Sequence, residues 1–333
     1  MLPDRCLMWL ADACAYAIPG RWSEKLVRAI YRCSYRWFGR RDLAQLAGLC
    51  QLALQETDQR AAAIALGCVQ AKGHQRRNYR AMGRTNKWRA ARLDFGPSCY
   101  RALADTRRPL VVLTIHQGDY LAGLLSTLQL VPTQRNVHVI KLAESSKKED
   151  AAYAHFRRFG HELVVHRLSE RPAKTIVRAL KRQAILLTFV DVPRAFGTTV
   201  GVTMFGLPFQ LTVGPIAMAR LAGADLLPLF SCYDANQQPL VRACNLIPAY
   251  ATLGLTKAPP VEQLAQQLAN VIEDNLRSCS EQWEMWPVLQ DLLDTERLNS
   301  SDFAPSAAER GQLLARFASL PAPTEPDTAS LPN

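Results

Sequence analysis

A histidine and an aspartate three residues apart, His116 and Asp119, stand where an apolar run gives way to a polar turn. Residues 109–115, Pro-Leu-Val-Val-Leu-Thr-Ile, read as a buried strand. His-Gln-Gly-Asp-Tyr then breaks the run, and residues 121–128, Leu-Ala-Gly-Leu-Leu-Ser-Thr-Leu, follow as an apolar helix. This pattern predicts an imidazole at a strand's carboxyl end, where open α/β sheets form their ligand crevices. A carboxylate three residues on can share a helix face with the imidazole. Bonded to one ring nitrogen, it would fix the tautomer and leave the other nitrogen to take a proton from a hydroxyl or amine. A second reading stands beside this one: His116 caps the helix, and Asp119 sits in the first turn because the helix dipole favours an acid there.

A further group follows a second apolar run, 184–190. Asp191 and Arg194 leave that strand on the edge where His116 opens, and a glycine-broken apolar stretch, 197–209, comes next. Arg194 could hold a phosphate or carboxylate through paired hydrogen bonds, with the stretch lining a hydrocarbon groove. Alternatively, Asp191 and Arg194 bridge each other and the stretch packs as core. Gly214-Pro215 opens another helix, whose amino terminus could face an anion or simply start the helix well.

Other chemistries find no support. The chain lacks Gly-x-x-x-x-Gly-Lys-Ser/Thr, Gly-x-Gly-x-x-Gly, His-Glu-x-x-His and Gly-x-Ser-x-Gly. His74, His138 and His155 show no ligand spacing, and His161 and His166 lie on one presumed strand pointing to opposite faces. No metal and no nucleotide cofactor are expected. The nine cysteines are scattered, without Cys-x-x-Cys, and read as reduced core thiols.

These residues need a scaffold. Strands are expected at 109–115, 137–141, 162–166, 184–190, 226–233 and 240–247, with helices near 120–130, 149–159, 172–182, 214–222 and 261–278. Such alternation predicts an α/β domain over 109–298: a mixed, largely parallel sheet flanked by helices. Before it, residues 1–108 are expected to form a basic helical subdomain, with helices at 42–55 and 57–71. Residues 299–333, rich in Pro and Ala, read as a partly disordered tail.

Charge is polarised along the chain. Residues 1–110 hold 20 Lys and Arg against 8 Asp and Glu, a net of +12, so the remainder carries about −1 of the total +11. Residues 22–38 predict a basic amphipathic helix, with Arg21, Lys25, Arg28, Arg32 and Arg36 opposite Leu26, Ile30, Trp37 and Phe38. That composition suits an anionic membrane surface, although a core-packed helix with a solvated arginine face has the same pattern. Residues 6–18 are too short and carry Asp12, so no membrane span is expected there, nor a signal peptide. Residues 75–80 and 87–89 interleave bases with aromatics, but no nucleic-acid signature accompanies them. Nucleic acid is not the expected partner.

Three stretches together resemble the bacterial lipid A late acyltransferases, a branch of the glycerolipid acyltransferases. His116-Gln117-Gly118-Asp119-Tyr120 is similar to that family's catalytic His-Phe-Gly-Asn-Trp-Glu. Asp191 and Arg194, Phe205-Gly206, and Thr212 through Gly214-Pro215 resemble its middle motifs, and 280–286 its closing Pro-Glu-Gln-Trp-x-Trp. The resemblance implies transfer of an acyl group from an acyl carrier protein thioester to a hydroxyl or amine of a membrane-associated lipid, without cofactor. It implies His116 as base oriented by Asp119, with Gln117, Tyr120, Asp191, Arg194, Phe205, Gly206 and Thr212 binding substrate. It also implies peripheral attachment at the cytoplasmic face of the inner membrane. One departure is plain: the family's acid five residues after the histidine is Leu121 here. An aminoacyl or other specialised acyl group, or a non-catalytic lipid- or carrier-binding homologue, are the alternatives this departure opens.

Overall fold

The computed structural model describes residues 40–85, 90–141, 147–249 and 258–300. The expected helix at 22–38, the segment 87–89 and the tail beyond 300 lie outside the described residues. Two helices, α1 (Arg40–Leu54) and α2 (Asp58–Thr85), lead to β1 (Arg92–Asp94), α3 (Pro97–Ala104) and β2 (Leu110–Thr114). Helices and strands then alternate through α4 (Tyr120–Leu128), β3 (Val137–Lys141), α5 (Lys147–Arg158), β4 (Leu163–Arg167), α6 (Ala173–Leu180) and β5 (Ile185–Phe189). A hairpin, β6 (Thr199–Met204) and β7 (Leu207–Thr212), precedes α7 (Gly214–Ala222), β8 (Asp225–Tyr233), β9 (Pro239–Ala243) and α8 (Val261–Ser278). Short helices α9 (Leu289–Leu292) and α10 (Thr295–Asn299) follow.

Seven strands form one sheet in the order β1-β9-β8-β2-β5-β3-β4. Every neighbouring pair is parallel except β8 with β9. The α/β architecture with a mixed, mostly parallel sheet is therefore the one the sequence predicts. Both faces are covered, and β2 is buried along its whole length: Val111, Leu113 and then Ile115 enter one hydrophobic cluster, Leu110 and Val112 the other. Leu49, Cys50, Ala53, Ile64 and Cys68 of α1 and α2 enter the first of these clusters beside the sheet residues.

Three features differ from expectation. Helix α2 does not stop near residue 71 but runs on through the basic segment to Thr85, carrying Gln75, Asn78 and Tyr79 on one face by their three- and four-residue spacing. Strand β1 was not anticipated; three residues carry too short a pattern. The stretch read as a glycine-broken loop is the antiparallel β6–β7 hairpin, paired from Thr199↔Thr212 to Met204↔Leu207. Its two-residue turn, Phe205-Gly206, has φ of 57° and 75°, the backbone hand that matches strand twist. A phenylalanine tolerates that conformation because its N–H donates to Glu273 (2.7 Å) while its ring packs near Phe209, Trp286 and Arg277.

The approach to β2 is fixed by Arg135. Its guanidinium donates to the carbonyls of Ala102, Leu103, Asp105, Arg108 and Gln183, tying the turn before β2 to the turn before β5. Burial lowers its pKa to about 10, so it keeps its charge at neutral pH.

Candidate active site

Strands β2 and β5 are parallel neighbours, in register from Leu110↔Ile185 to Thr114↔Phe189. The chain continues in step past the strand ends, since Val190 N–H donates to Thr114 O (3.1 Å). Two residues beyond the last pair, His116 therefore meets Asp191. Nδ1 of His116 lies 2.8 Å from Oδ1 of Asp191, and the backbone N–H of His116 donates to Oδ2, also at 2.8 Å. The carboxylate's second oxygen accepts from Trp283 Nε1 as well (3.0 Å). Because the carboxylate can only accept, Nδ1 carries the hydrogen, and the lone pair that can take a proton sits on Nε2. The imidazole stacks on Phe189, with ring centroids 4.1 Å apart, and meets the edge of Tyr120 at 5.4 Å. Its side chain is 22% exposed against 4% for Asp191, so the base faces outward and its acid is enclosed.

Asp119 is not the partner of His116. It is the N-cap of α4: Oδ1 accepts from Ala122 N–H (3.1 Å), and Oδ2 accepts from Asn78 Nδ2 and from the Tyr233 hydroxyl (3.3 Å). Burial raises its pKa to about 6, against the lowering effect of those donors. Geometry explains the misreading. Between the two residues Gly118 takes φ +55°, and a Cβ there would meet the Cys232 backbone at 2.7 Å; this bend sends the cap away from the imidazole. The capping alternative raised by the sequence is corrected too: the cap is Asp119 itself and not His116, while the acid for His116 comes from 75 residues downstream.

The segment 280–286 closes over the pair. Glu284 N–H donates to His116 O (2.8 Å), Gly118 N–H donates to Gln282 O (3.0 Å), and Gln117 forms a bridge with Trp283. Trp283 and Trp286 are buried edge to face at 4.9 Å, and Trp286 Nε1 donates to Ser280 O (2.7 Å). Burial raises the pKa of Glu284; Lys72, then His116 and a hydrogen bond from Gln75 pull it back.

The remaining candidates divide. Tyr120 lies against the imidazole. Gln117 is fully buried and held by Asn275 (2.6 Å) and Cys279, so it supports the turn instead of facing substrate. Thr212 donates to Val192 O (3.1 Å) and its N–H to Val190 O, gripping the backbone on either side of Asp191. Arg194 is exposed and reaches Glu296 (3.8 Å), not Asp191. Phe205 and Gly206 form the hairpin turn, neighbours of α8 and Trp286 and not of His116. Residues that the sequence left unassigned also reach the site: Gln75, whose Nε2 donates to Gly118 O (3.2 Å), with Asn78, Tyr79, Phe189 and Tyr233. Only helical spacing on an extended α2 could have pointed to the first three. Among the described residues no three His, Cys, Asp or Glu side chains gather as metal ligands.

Residues 104–289 match the family model for bacterial lipid A biosynthesis acyltransferases. The chain belongs to this family. A search of curated proteins finds no match to it. The match spans β2 to α9, so the strand ends carrying His116 and Asp191 and the closing segment with Trp283 all lie within the acyltransferase region. Membership makes this protein an acyltransferase acting on lipid, and the histidine–carboxylate pair is a fitting piece of equipment for it. In this acyltransferase the acid missing at Leu121 has no local replacement: Leu121 is buried in the second hydrophobic cluster. No helix among the described residues is long and apolar enough to cross a membrane.

Proposed function

We propose that this acyltransferase moves an acyl group from an acyl carrier protein thioester to a hydroxyl or amine of a membrane-associated lipid, with His116 as general base and Asp191 as the carboxylate that orients it. The 2.8 Å contact between Nδ1 and Asp191 carries the reading. As the acceptor attacks the thioester carbonyl, Nε2 takes its proton; Asp191 stabilises the imidazolium, which then protonates the departing thiolate. Phe189 and Tyr120 restrict the ring's rotation and shield the imidazolium from water. Arg194, exposed at the same sheet edge, fits an anionic headgroup or the acidic carrier. Residues 109–298 would be the catalytic domain, and the basic residues 1–108 would hold it at the anionic cytoplasmic face of the inner membrane, where such charge favours binding.

Purified protein supplied with acyl carrier protein thioester and a lipid extract tests this by mass spectrometry of acylated product. His116→Ala should lower the rate by about 10²-fold or more. Undiminished product from that variant would remove His116 as the base, and no product from the wild type would leave the lipid- or carrier-binding homologue as the surviving description.

A further inference from the structure

Residues 167–182 hold six Lys and Arg against one acid, Glu170, although residues 111–333 together carry about −1. Helix α6 sorts this segment by face. Ile176 and Leu180, four residues apart, enter the first hydrophobic cluster, whereas Arg171, Lys174, Arg178, Lys181 and Arg182 are all exposed. Lys174, Arg178 and Lys181 recur at i, i+4 and i+7 and so share the side turned away from Ile176 and Leu180, with Arg171 and Arg182 at its two ends. None of these five side chains forms an ion pair with a described residue. Helix α7, packed beside α6, contains no acid and adds Arg220.

The topology brings one end of this face to the site. Strands β4 and β5 both run parallel to β3, so α6, which connects them, returns along the sheet and starts at the edge where His116 and Asp191 emerge. In the sheet order β4 stands three strands from β2, about 14 Å at the usual strand spacing. A helix lying in lipid headgroups needs apolar residues beside its cations. Those of α6 are buried in the core, and the large hydrophobic residues exposed among the described ones, Tyr100, Phe196 and Leu221, lie on other elements. A folded partner rich in surface carboxylates is the complement to such a face, because opposite charge both speeds and orients docking.

We propose that the outer face of α6, centred on Lys174, Arg178 and Lys181, docks an acidic carrier protein that presents its acyl thioester to His116. The docking face rests on the carrier-thioester reading of the function and supplies the surface which that reading leaves open.

Fluorescence anisotropy of labelled holo acyl carrier protein, titrated with the full-length protein, tests the face. Lys174→Glu, Arg178→Glu and Lys181→Glu together should weaken binding by about tenfold or more and flatten its salt dependence. All three side chains are exposed, so the urea midpoint of this variant should stay near that of wild type. A reversal of equal charge on the side of the sheet that carries β1, with Arg92→Glu, Arg101→Glu and Arg107→Glu, should leave binding nearly unchanged. Equal weakening by the two sets, or none by the first, overturns the proposal. So does an α6 variant that loses flotation with anionic vesicles while its carrier binding persists, which assigns the face to a membrane. Failure of the underlying reading shows differently: wild type would bind no carrier at all, or His116→Ala would leave turnover intact whatever the anisotropy gives.

Discussion

Replacing Asp191 with asparagine isolates the electronic role of the carboxylate from its structural one. Asparagine keeps a single carbonyl oxygen, and the strongest claim on it comes from two fixed donors now served by Oδ2, the His116 backbone N–H at 2.8 Å and Trp283 Nε1 at 3.0 Å. Its NH2 then faces Nδ1, which must turn acceptor, so the ring hydrogen moves to Nε2 and the lone pair that would take the acceptor's proton is gone. The imidazolium also loses its counter-charge. General-base catalysis contributes about 10²- to 10⁴-fold, so kcat should fall within that range. Two of three hydrogen bonds persist, so the unfolding midpoint should move little. The control is Asp119→Asn, which retains the oxygen that caps α4 through Ala122. Rates of thioester cleavage and urea midpoints for both variants decide the matter. Wild-type kcat in Asp191→Asn, or an equal loss in Asp119→Asn, would refute the pairing.

Trp283→Phe removes the indole donor to Asp191 while keeping an aromatic ring beside Trp286; a hydrogen bond to a charged group is worth about 1.5–3 kcal/mol, so kcat should drop roughly tenfold or more and its acid-side pH limb should shift. His138 and His166 share a buried hydrogen bond of 2.8 Å between β3 and β4, and burial, then His166, lowers the His138 pKa from 6.5 to about 4. The folded state thus prefers neutral His138: stability is full above pH 6.5 and declines as pH falls toward 4, by up to about 3 kcal/mol at 1.36 kcal/mol per unit. Urea titrations at stepped pH should show this decline in wild type and a shallower one in His138→Phe; identical slopes would contradict it. Flotation with anionic vesicles should recover the full-length protein at low salt and less of it at high salt, given the net +12 of residues 1–110. No recovery at either salt would count against attachment.

The alternation of apolar runs and helical patterns made the sheet legible, because buried parallel strands such as β2 are hydrophobic on both faces and stand out from polar connections. His116 at a strand end was legible for the same reason. Its acid was not. Sequence spacing favours the near carboxylate, Asp119, whereas strand order decides which distant residue arrives, and nothing in the local pattern says that β5 lies beside β2. Asp191 was visible as a site residue at the correct sheet edge, with its partner misassigned to Arg194 in one reading. The hairpin escaped because Phe205-Gly206 is an unusual pair for a tight turn, and only tertiary packing of the phenyl ring makes it affordable. Gln75, Asn78 and Tyr79 were hidden inside what looked like a surface charge run, 75–80.

Glu284 reaches His116 and Trp283 reaches Asp191 from the far end of the acyltransferase region, and Asp191 itself arrives from 75 residues away. Native order at the imidazole therefore requires the long loops between these segments to close. A ribosome-bound chain that has not yet released residue 284 would present His116 and Asp191 without the Glu284 and Trp283 contacts that hold them. Limited proteolysis between α8 and Trp283 should abolish turnover even where the sheet survives.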